Sequence, residues 1–368
     1  MREKFREVSF NGNTNIRYKD AEGNVGIWHK NQREFLNEIE TIVRAYQRQG
    51  IMMTNRTLYY QLVTTNSIPN AEAIYKRLCT FLTDARYGGY IDWSAIEDLG
   101  RVPERHSEWY NVAELIDSAI LAYRLPRWNP QDRYIELFVE KQGMASVLQP
   151  IANKYHIYFG YNKGYSSAVT LYDLYKRIKE QLFDNDDEFR KDYKPCTILY
   201  LGDFDPSGLD MVRDIRERIT EFLRKAFEKC SEPEFGDDEI DVKLGVTGCD
   251  DVDENAVFRV DHLALTSDQV QQYNPPPNPA KVTDPRAKGY VARYGRVSWE
   301  LDSLRPDILR SIAEDGIRKY IDIDLYNEVI KREKVELNEF KRFFEGFMGS
   351  QRMKKILNDT KPVLQRGL

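Results

Sequence analysis

From residue 133 onward the chain alternates short apolar runs with amphipathic stretches, and two of those runs end in carboxylates. Residues 134–139 read as a strand, followed by a helix over GMASVLQPIANKY. Residues 156–161 read as a second strand with a helix around 166–183, and residues 197–201 as a third with a helix over 208–229. Such alternation predicts a mainly parallel α/β sheet, and parallel sheets place ligands at the carboxyl ends of their strands. Glu140 follows the first strand in ELFVEKQG, while Asp203 and Asp205 leave the third together in ILYLGDFDPSGLD. Residues two apart on extended backbone point to one side, so both aspartates can face one ion. Pro206 and Gly208 then turn the chain into helix. Three carboxylates at one sheet edge repel one another unless a cation neutralises them. Hard oxygen donors with room for water suit Mg2+ better than a softer metal. The plainer reading makes Asp203 and Asp205 a turn and a helix cap. Glu140, at the end of an earlier strand, weighs against it.

The first hundred residues have a different period. Phe35, Leu36, Ile39, Ile42, Val43 and Tyr46 share one helical face within 31–50. After Gly50, Thr54 or Asn55 is the expected N-cap of a second helix, RTLYYQLV. A third helix carries Ile74, Leu78, Leu82 and Ala85 and stops at Gly88-Gly89, with a wing strand expected over residues 90–93. Three helices and a β element outline a winged helix, a DNA-docking module. Prolines 103, 126 and 130 break up a connection with one helix near 111–124. A Pro-rich loop covers 274–281, two helical segments 303–345, and a peripheral helix and tail close the chain. The expected organisation is therefore a CAP-like winged-helix domain at 1–93, a linker at 94–132, an α/β domain at 133–302 and a helical C-terminal extension at 303–368.

Composition narrows the field. No run approaches the roughly 18 apolar residues of a membrane helix, and MREKFREVSFNGN lacks a secretory apolar core, so a cytoplasmic, nucleoid-associated protein is expected. Cys79, Cys196, Cys230 and Cys249 form no CxxC pair, and the four histidines show no ligand spacing. A net charge of −5 argues against a protein that coats nucleic acid, but leaves room for a local basic face. No P-loop motif is present in the sequence.

The pairing of VEK with GDFDPSG resembles the Toprim domain of the topoisomerase VI A subunit and of its relative, the meiotic double-strand-break transesterase. In that family the glutamate and the Asp-x-Asp bind Mg2+, which the resemblance carries onto Glu140, Asp203 and Asp205. A winged helix precedes Toprim there, bearing the cleaving tyrosine in an Arg-x-x-Tyr-Tyr motif. This chain reads Arg56-Thr57-Leu58-Tyr59-Tyr60, which assigns the nucleophile's place to Tyr60. The likeness spans roughly residues 30–300. GYSS, DPSGLDM, NPPPNPAK and YGRVSWELD are similar to the short, stand-alone, phage-borne Mini-A relatives. The linker and C-terminal third depart from the topoisomerase subunit, so the resemblance does not extend to its strand passage or its partner interface. The resemblance implies double-stranded DNA as substrate and a homodimer in which one subunit's metal site serves the other's tyrosine. Any ATPase would be a separate subunit.

At about 100° per residue, Leu58, Tyr59, Leu62 and Val63 cluster on one helical face, so Tyr59 is expected in the core and Tyr60 facing outward. Arg56 lies one turn earlier on Tyr60's side, where it can hold a phosphate and favour the phenolate. Such help is needed, because a free tyrosine has a pKa of about 10. The same metal site also suits a water nucleophile, as in the Toprim nucleases of the OLD type and the JetD defence nuclease, and Tyr60 is then dispensable. A DNA-binding protein with an inert Toprim domain is the non-enzymatic alternative. For DNA contacts, Lys281, Arg286, Lys288, Arg293 and Arg296, interleaved with Tyr290 and Tyr294, form a candidate phosphate surface. Arg77 and Arg86 are groove candidates, Lys141 is a phosphate contact or a carboxylate partner, and Trp299 and Glu300 are expected in packing.

Overall fold

The computed structural model describes residues 10, 16–19, 25–29, 31–96, 106–161, 168–230, 236–245, 256–280 and 286–348. The chain divides into two compact units, Met1–Arg101 with Arg133–Tyr320, and Val102–Asp132 with Ile321–Leu368. It is an α/β protein, mostly helical, around one four-stranded parallel sheet.

The first unit begins with an antiparallel pair, β1 (Ile16–Lys19) and β2 (Val25–His29). The helices α1 (Gln32–Arg48), α2 (Asn55–Thr64) and α3 (Glu72–Tyr87) follow. Asn31 caps α1 by accepting the N–H groups of Arg33 and Glu34, and Phe35, Leu36, Ile39, Val43 and Tyr46 form its buried face. Thr54, rather than Asn55, caps α2, its hydroxyl accepting the Thr57 N–H at 3.1 Å. Because α2 carries Arg56 and Tyr60, that cap supports more than a helix end. Thr54→Ala is expected to lower stability by about 1 kcal/mol, read as the shift of a denaturant unfolding midpoint. The wing strand expected at 90–93 does not form. The N–H groups of Tyr90 and Ile91 turn back to the Ala85 carbonyl to close α3, which withdraws them from any ladder. Trp93–Ala95 is a 3-10 turn instead.

After α4 (Val112–Ala122), which belongs to the second unit, the sheet is built from β3 (Tyr134–Val139), α5 (Ala145–Tyr155), β4 (Tyr158–Tyr161), α6 (Ala168–Leu182), β5 (Cys196–Leu201), α7 (Pro206–Phe227), α8 (Asp237–Leu244) and β6 (Phe258–Ala264). The order is β4-β3-β5-β6, every pair parallel. The central strands are covered on both faces, as uninterrupted apolar runs such as CTILYL require. On one face α6 and α7 contribute Leu171, Leu174, Ile178, Met211, Ile215, Ile219 and Leu223 to the core. The exception is Glu136, fully buried in β3, whose carboxylate takes two hydrogen bonds from Arg177 and one from the Tyr134 hydroxyl.

Beyond the sheet come α9 (Ser267–Tyr273), β7 (Asn278–Pro279), α10 (Ala287–Tyr294), β8 (Val297–Ser298), α11 (Pro306–Arg318) and α12 (Ile323–Met348). β7 and β8 pair antiparallel, with Asn278 opposite Ser298. The expected boundary at 302 falls inside the first unit, because α11 packs on α5 and extends that unit to Tyr320. Of the segment read as a linker, residues 102–132 cluster with the C-terminal helix. There Glu333 accepts from Arg127 and from the Leu125 N–H, and Gln131 is bonded to the backbone of Asp322. Among the described residues, no helix is long and apolar enough to cross a membrane.

Candidate active site

The sheet register brings the acidic strand ends together. The Glu140 N–H donates to Leu201 O at 2.8 Å, so Glu140 emerges beside the turn that carries Asp203. Its Oε2 accepts the Asp203 N–H at 2.7 Å. Asp203 accepts the Leu301 N–H on Oδ1 at 2.8 Å and meets the Lys141 ammonium through Oδ2 at 2.7 Å. Asp205 caps α7, its Oδ1 accepting the Gly208 N–H at 2.6 Å with Pro206 in the first turn. The cap in the plainer reading is therefore real, and it leaves Asp205 beside Glu140, close enough to act on its charge.

The turn between the aspartates is clamped. Phe204 exchanges both backbone hydrogen bonds with Trp299, and the Tyr290 hydroxyl is within reach of the carbonyls of Phe204 and Val297. That clamp delivers two further acids. Glu300 and Asp302 face the Lys141 ammonium at 2.9 and 3.1 Å. Arg56, arriving from α2, also pairs with Glu300 and, at 3.2 Å, with Asp302. Asp203, Glu300 and Asp302 thus gather around Lys141, Glu300 and Asp302 share Arg56, and Glu140 is bonded to the Asp203 backbone.

Charge follows that arrangement. Burial pushes Asp203 well above the usual carboxylate range, opposed by Lys141 and reinforced by Glu140 and Asp302. Glu140 also rises, chiefly from burial, with the Asp203 N–H acting against it. For Lys141 burial favours loss of the proton, but Asp302, Asp203 and Glu300 outweigh it and hold the ammonium charged. Glu300 is partly buried, which acts to raise its pKa, yet Lys141 and Arg56 carry it below its ordinary value.

Tyr60 does not face outward: it is 2% exposed. The periodic face of α2 marks only one of its contacts. Leu58, Leu62 and Val63 pack on that side, while Thr57, Tyr60 and Gln61 are buried as well, and the helix lies against the turn Leu301–Ser303. A helix held between two layers has no outward face along such a stretch. The Tyr60 Oη accepts from Asn278 Nδ2 at 3.0 Å and has Arg56 Nη2 at 3.5 Å. Burial raises its pKa strongly and Glu300 adds to the shift, against Arg56 and Asn278.

The expected DNA contacts separate into groups. Arg77 is exposed on α3, and Lys288, Arg293 and Arg296 are exposed on and after α10. The Arg86 guanidinium donates to Ile96 O and ties α3 to the following turn. Arg286 is paired with Asp210 at 2.7 Å. Lys141 is a carboxylate partner, and Lys281 lies outside the described residues. Asn278 and Asp302 are not among the expected site residues, and Glu300 is expected only in packing. The pair Glu300-x-Asp302 repeats the two-residue spacing of Asp203-x-Asp205, a signal that the same strand-end logic could have used.

The donor set has the chemistry for a hard divalent cation, namely buried carboxylates in excess of their counter-charges. As the side chains stand, no three acidic, histidine or cysteine groups among the described residues converge as ligands on one point. Lys141 and backbone N–H groups hold the oxygens that would turn toward an ion. No family model matches the chain, and no curated protein is significantly similar to it.

Proposed function

We propose that this chain is a Mg2+-dependent DNA-cleaving enzyme with a winged-helix-like N-terminal part and a Toprim-like sheet, in which Tyr60 attacks the phosphodiester. One observation carries the reading. A continuous polar chain runs from Tyr60 through Asn278, Glu300, Lys141 and Asp203 to Glu140. A tyrosine that served packing alone would have no need of that connection.

In this reading the Tyr60 oxygen forms a bond to phosphorus while the bond to the departing deoxyribose oxygen breaks, leaving a phosphotyrosyl link. The tyrosine proton ends on the departing oxygen by way of solvent. Glu140, Asp203 and Asp205 would hold Mg2+, which would neutralise charge on the phosphate. Arg56 binds the phosphate once freed from Glu300 and Asp302. Arg77, Lys288, Arg293 and Arg296 hold the flanking backbone. Exchange of one phosphoester for another needs no ATP, so an ATPase partner would serve a later step than cleavage. Two copies of the chain would cut both strands of a duplex. If one subunit's tyrosine serves the other's metal site, the Arg56–Glu300 pair must first open.

A second reading keeps the metal site and makes water the nucleophile. The burial of Tyr60 favours it, since a hydroxyl with a strongly raised pKa is a poor nucleophile until its surroundings change.

Supercoiled plasmid with Mg2+ separates the readings. Wild type should give covalent DNA–protein adducts, Tyr60→Phe should give neither adduct nor cleavage, and Asp203→Ala should be inactive. Cleavage that survives Tyr60→Phe but not Asp203→Ala would establish the hydrolytic enzyme instead. Absence of cleavage with every divalent metal would leave DNA binding alone.

A further inference from the structure

We infer that Asn278 is the hydrogen-bond donor that activates Tyr60, its amide held in the donating orientation by Asn70 and Tyr59. The inference rests on the reading of Tyr60 as nucleophile and deepens it.

An asparagine amide presents a donor on one side and an acceptor on the other, and its neighbours decide which way it turns. Here the orientation is fixed from both ends by groups that can only accept. Asn70 Nδ2 lies 2.9 Å from the Pro277 carbonyl, which has no proton to give. Asn70 must therefore point its NH2 toward β7, where it also meets Asn278 Oδ1 at 2.9 Å. Its own Oδ1 accepts from the Tyr59 hydroxyl at 2.9 Å, and Tyr59 Oη in turn accepts the Ala71 N–H at 2.7 Å. With Oδ1 committed to Asn70, Asn278 can only turn Nδ2 toward Tyr60 Oη, at 3.0 Å, and toward Glu300 Oε1, at 3.5 Å. The Glu300 carboxylate is the second acceptor-only anchor. A flipped Asn278 amide would set its NH2 against the Asn70 NH2 at one end and its oxygen against the Glu300 carboxylate at the other.

This arrangement answers a difficulty in the site. Glu300 and Asp302 both oppose a negative charge on Tyr60. Arg56 favours that charge, but its guanidinium is divided between those same acids and reaches Oη only at 3.5 Å. Asn278 is the nearer donor, and it lies between Tyr60 and Glu300. It takes up no proton. It donates to the oxygen that becomes anionic as the tyrosine proton leaves and keeps the carboxylate from being the phenol's hydrogen-bond acceptor. The pairing of Tyr59 and Tyr60 in the motif then gains a reason. One ring's hydroxyl orients the amide relay that serves the other's.

The test follows the first-order rate of covalent adduct formation by the full chain on plasmid DNA with Mg2+, across pH. Wild type is compared with Asn278→Ala, Asn278→Asp and Asn70→Ala. The charged and titratable groups facing Tyr60 are Arg56 and Tyr59 on its own helix and Glu300 and Asp302 beyond β8. All four remain in every variant. Loss of one donor to a developing oxyanion costs about 10²-fold or more, so Asn278→Ala should slow adduct formation by that order. Its rate profile should move to higher pH, because without the donor the phenol ionises later. Asn278→Asp, equal in shape but only accepting, should be slower still. Asn70→Ala should move the profile the same way by less. A fluorinated, more acidic tyrosine at position 60 should restore much of the Asn278→Ala rate, which a purely structural role would not allow. Should Asn278→Ala fail to fold, Asn278→Asp carries the comparison. Adducts that form in wild type, with rates and profiles unchanged in both Asn278 variants or lowered equally at every pH, overturn this inference alone. Absence of adducts in wild type overturns the tyrosine reading and this inference with it.

Discussion

Lys141→Met should unfold far more easily than wild type when divalent cations are chelated, and Mg2+ should restore more stability to it than to wild type. The Lys141 ammonium touches Asp203, Glu300 and Asp302 within 3.1 Å, and Asp203 and Asp302 are buried. Removing one partner from a buried charge group strands the others, at about 3–5 kcal/mol. Methionine keeps the length and apolar stem of lysine, so the loss reports charge rather than packing. Arg56 offsets part of it at Glu300 and Asp302, but among the described residues no second cation is paired with Asp203, whose carboxylate burial already pushes up. A group with a raised folded-state pKa contributes most at low pH and loses that contribution as pH rises through it. The deficit of Lys141→Met should accordingly shrink in acid, where Asp203 carries its proton, and be largest in neutral solution. An ion that binds the folded state stabilises it in proportion to the logarithm of its concentration over its Kd. Should the site take Mg2+ as proposed, competition with the ammonium would reduce that gain in wild type. Denaturant titrations with EDTA and with Mg2+ read the difference, and Asp203→Ala should abolish the Mg2+ response. Equal stabilisation of wild type and Lys141→Met by Mg2+ would mean that the ion and the ammonium do not compete for Asp203.

Much of this arrangement is legible in the sequence, because strand-end carboxylates are tied to local pattern. The run CTILYL followed by Gly202-Asp203-Phe204-Asp205 marks β5 and its exit, and Glu140 follows β3 for the same reason. The buried stripe of α1 is legible because one side of that helix is solvated. Tyr60 departs from its expected outward position because α2 is covered on both sides, and helical period then distinguishes nothing. The wing strand failed because a helix end took its N–H groups. Asn278 is the hardest case. Its partners lie 218 residues away at Tyr60 and 208 away at Asn70, a separation no spacing rule spans. The unit formed by α4 and α12 escapes the sequence likewise, since its joining residues, Arg127 and Glu333, are an ordinary pair of charges until the chain brings them together.

The DNA-facing readings separate along the same line. Local sequence names cations but not their commitments. Arg86 donates to Ile96 O and Arg286, itself exposed, pairs with Asp210, while Arg77, Lys288, Arg293 and Arg296 are also exposed. A stretch rich in basic residues thus mixes cations paired within the fold with cations open to solvent.

Gly208→Ala should destabilise the protein and suppress cleavage together, although glycine to alanine inside a helix ordinarily stabilises by about 1 kcal/mol. A Cβ at 208 would lie 2.2 Å from the Asp203 carbonyl oxygen and 3.1 Å from Glu140 Oε2. Neither neighbour can withdraw freely. Asp203 is held through its N–H by Glu140 and through Oδ1 by the Leu301 N–H. Gly202, just before it, is bonded to Ala264 O and to the Leu265 N–H. The start of α7 is fixed in turn by the Asp205 cap. Either the turn or the first turn of the helix must move, and overpacking of this kind costs about 1–3 kcal/mol. A displacement near 1 Å at reacting groups reduces rates by about 10²-fold, so cleavage should fall at least that far even where the variant remains folded. Gly143→Ala is the matched control. It lies two residues past Lys141, a Cβ there would meet nothing within 4 Å, and the change should leave both stability and cleavage near wild type. A Gly208→Ala protein with wild-type stability would mean that the Asp203 turn yields easily, and the close packing of Glu140, Asp203 and α7 would then not be what holds the carboxylates in place.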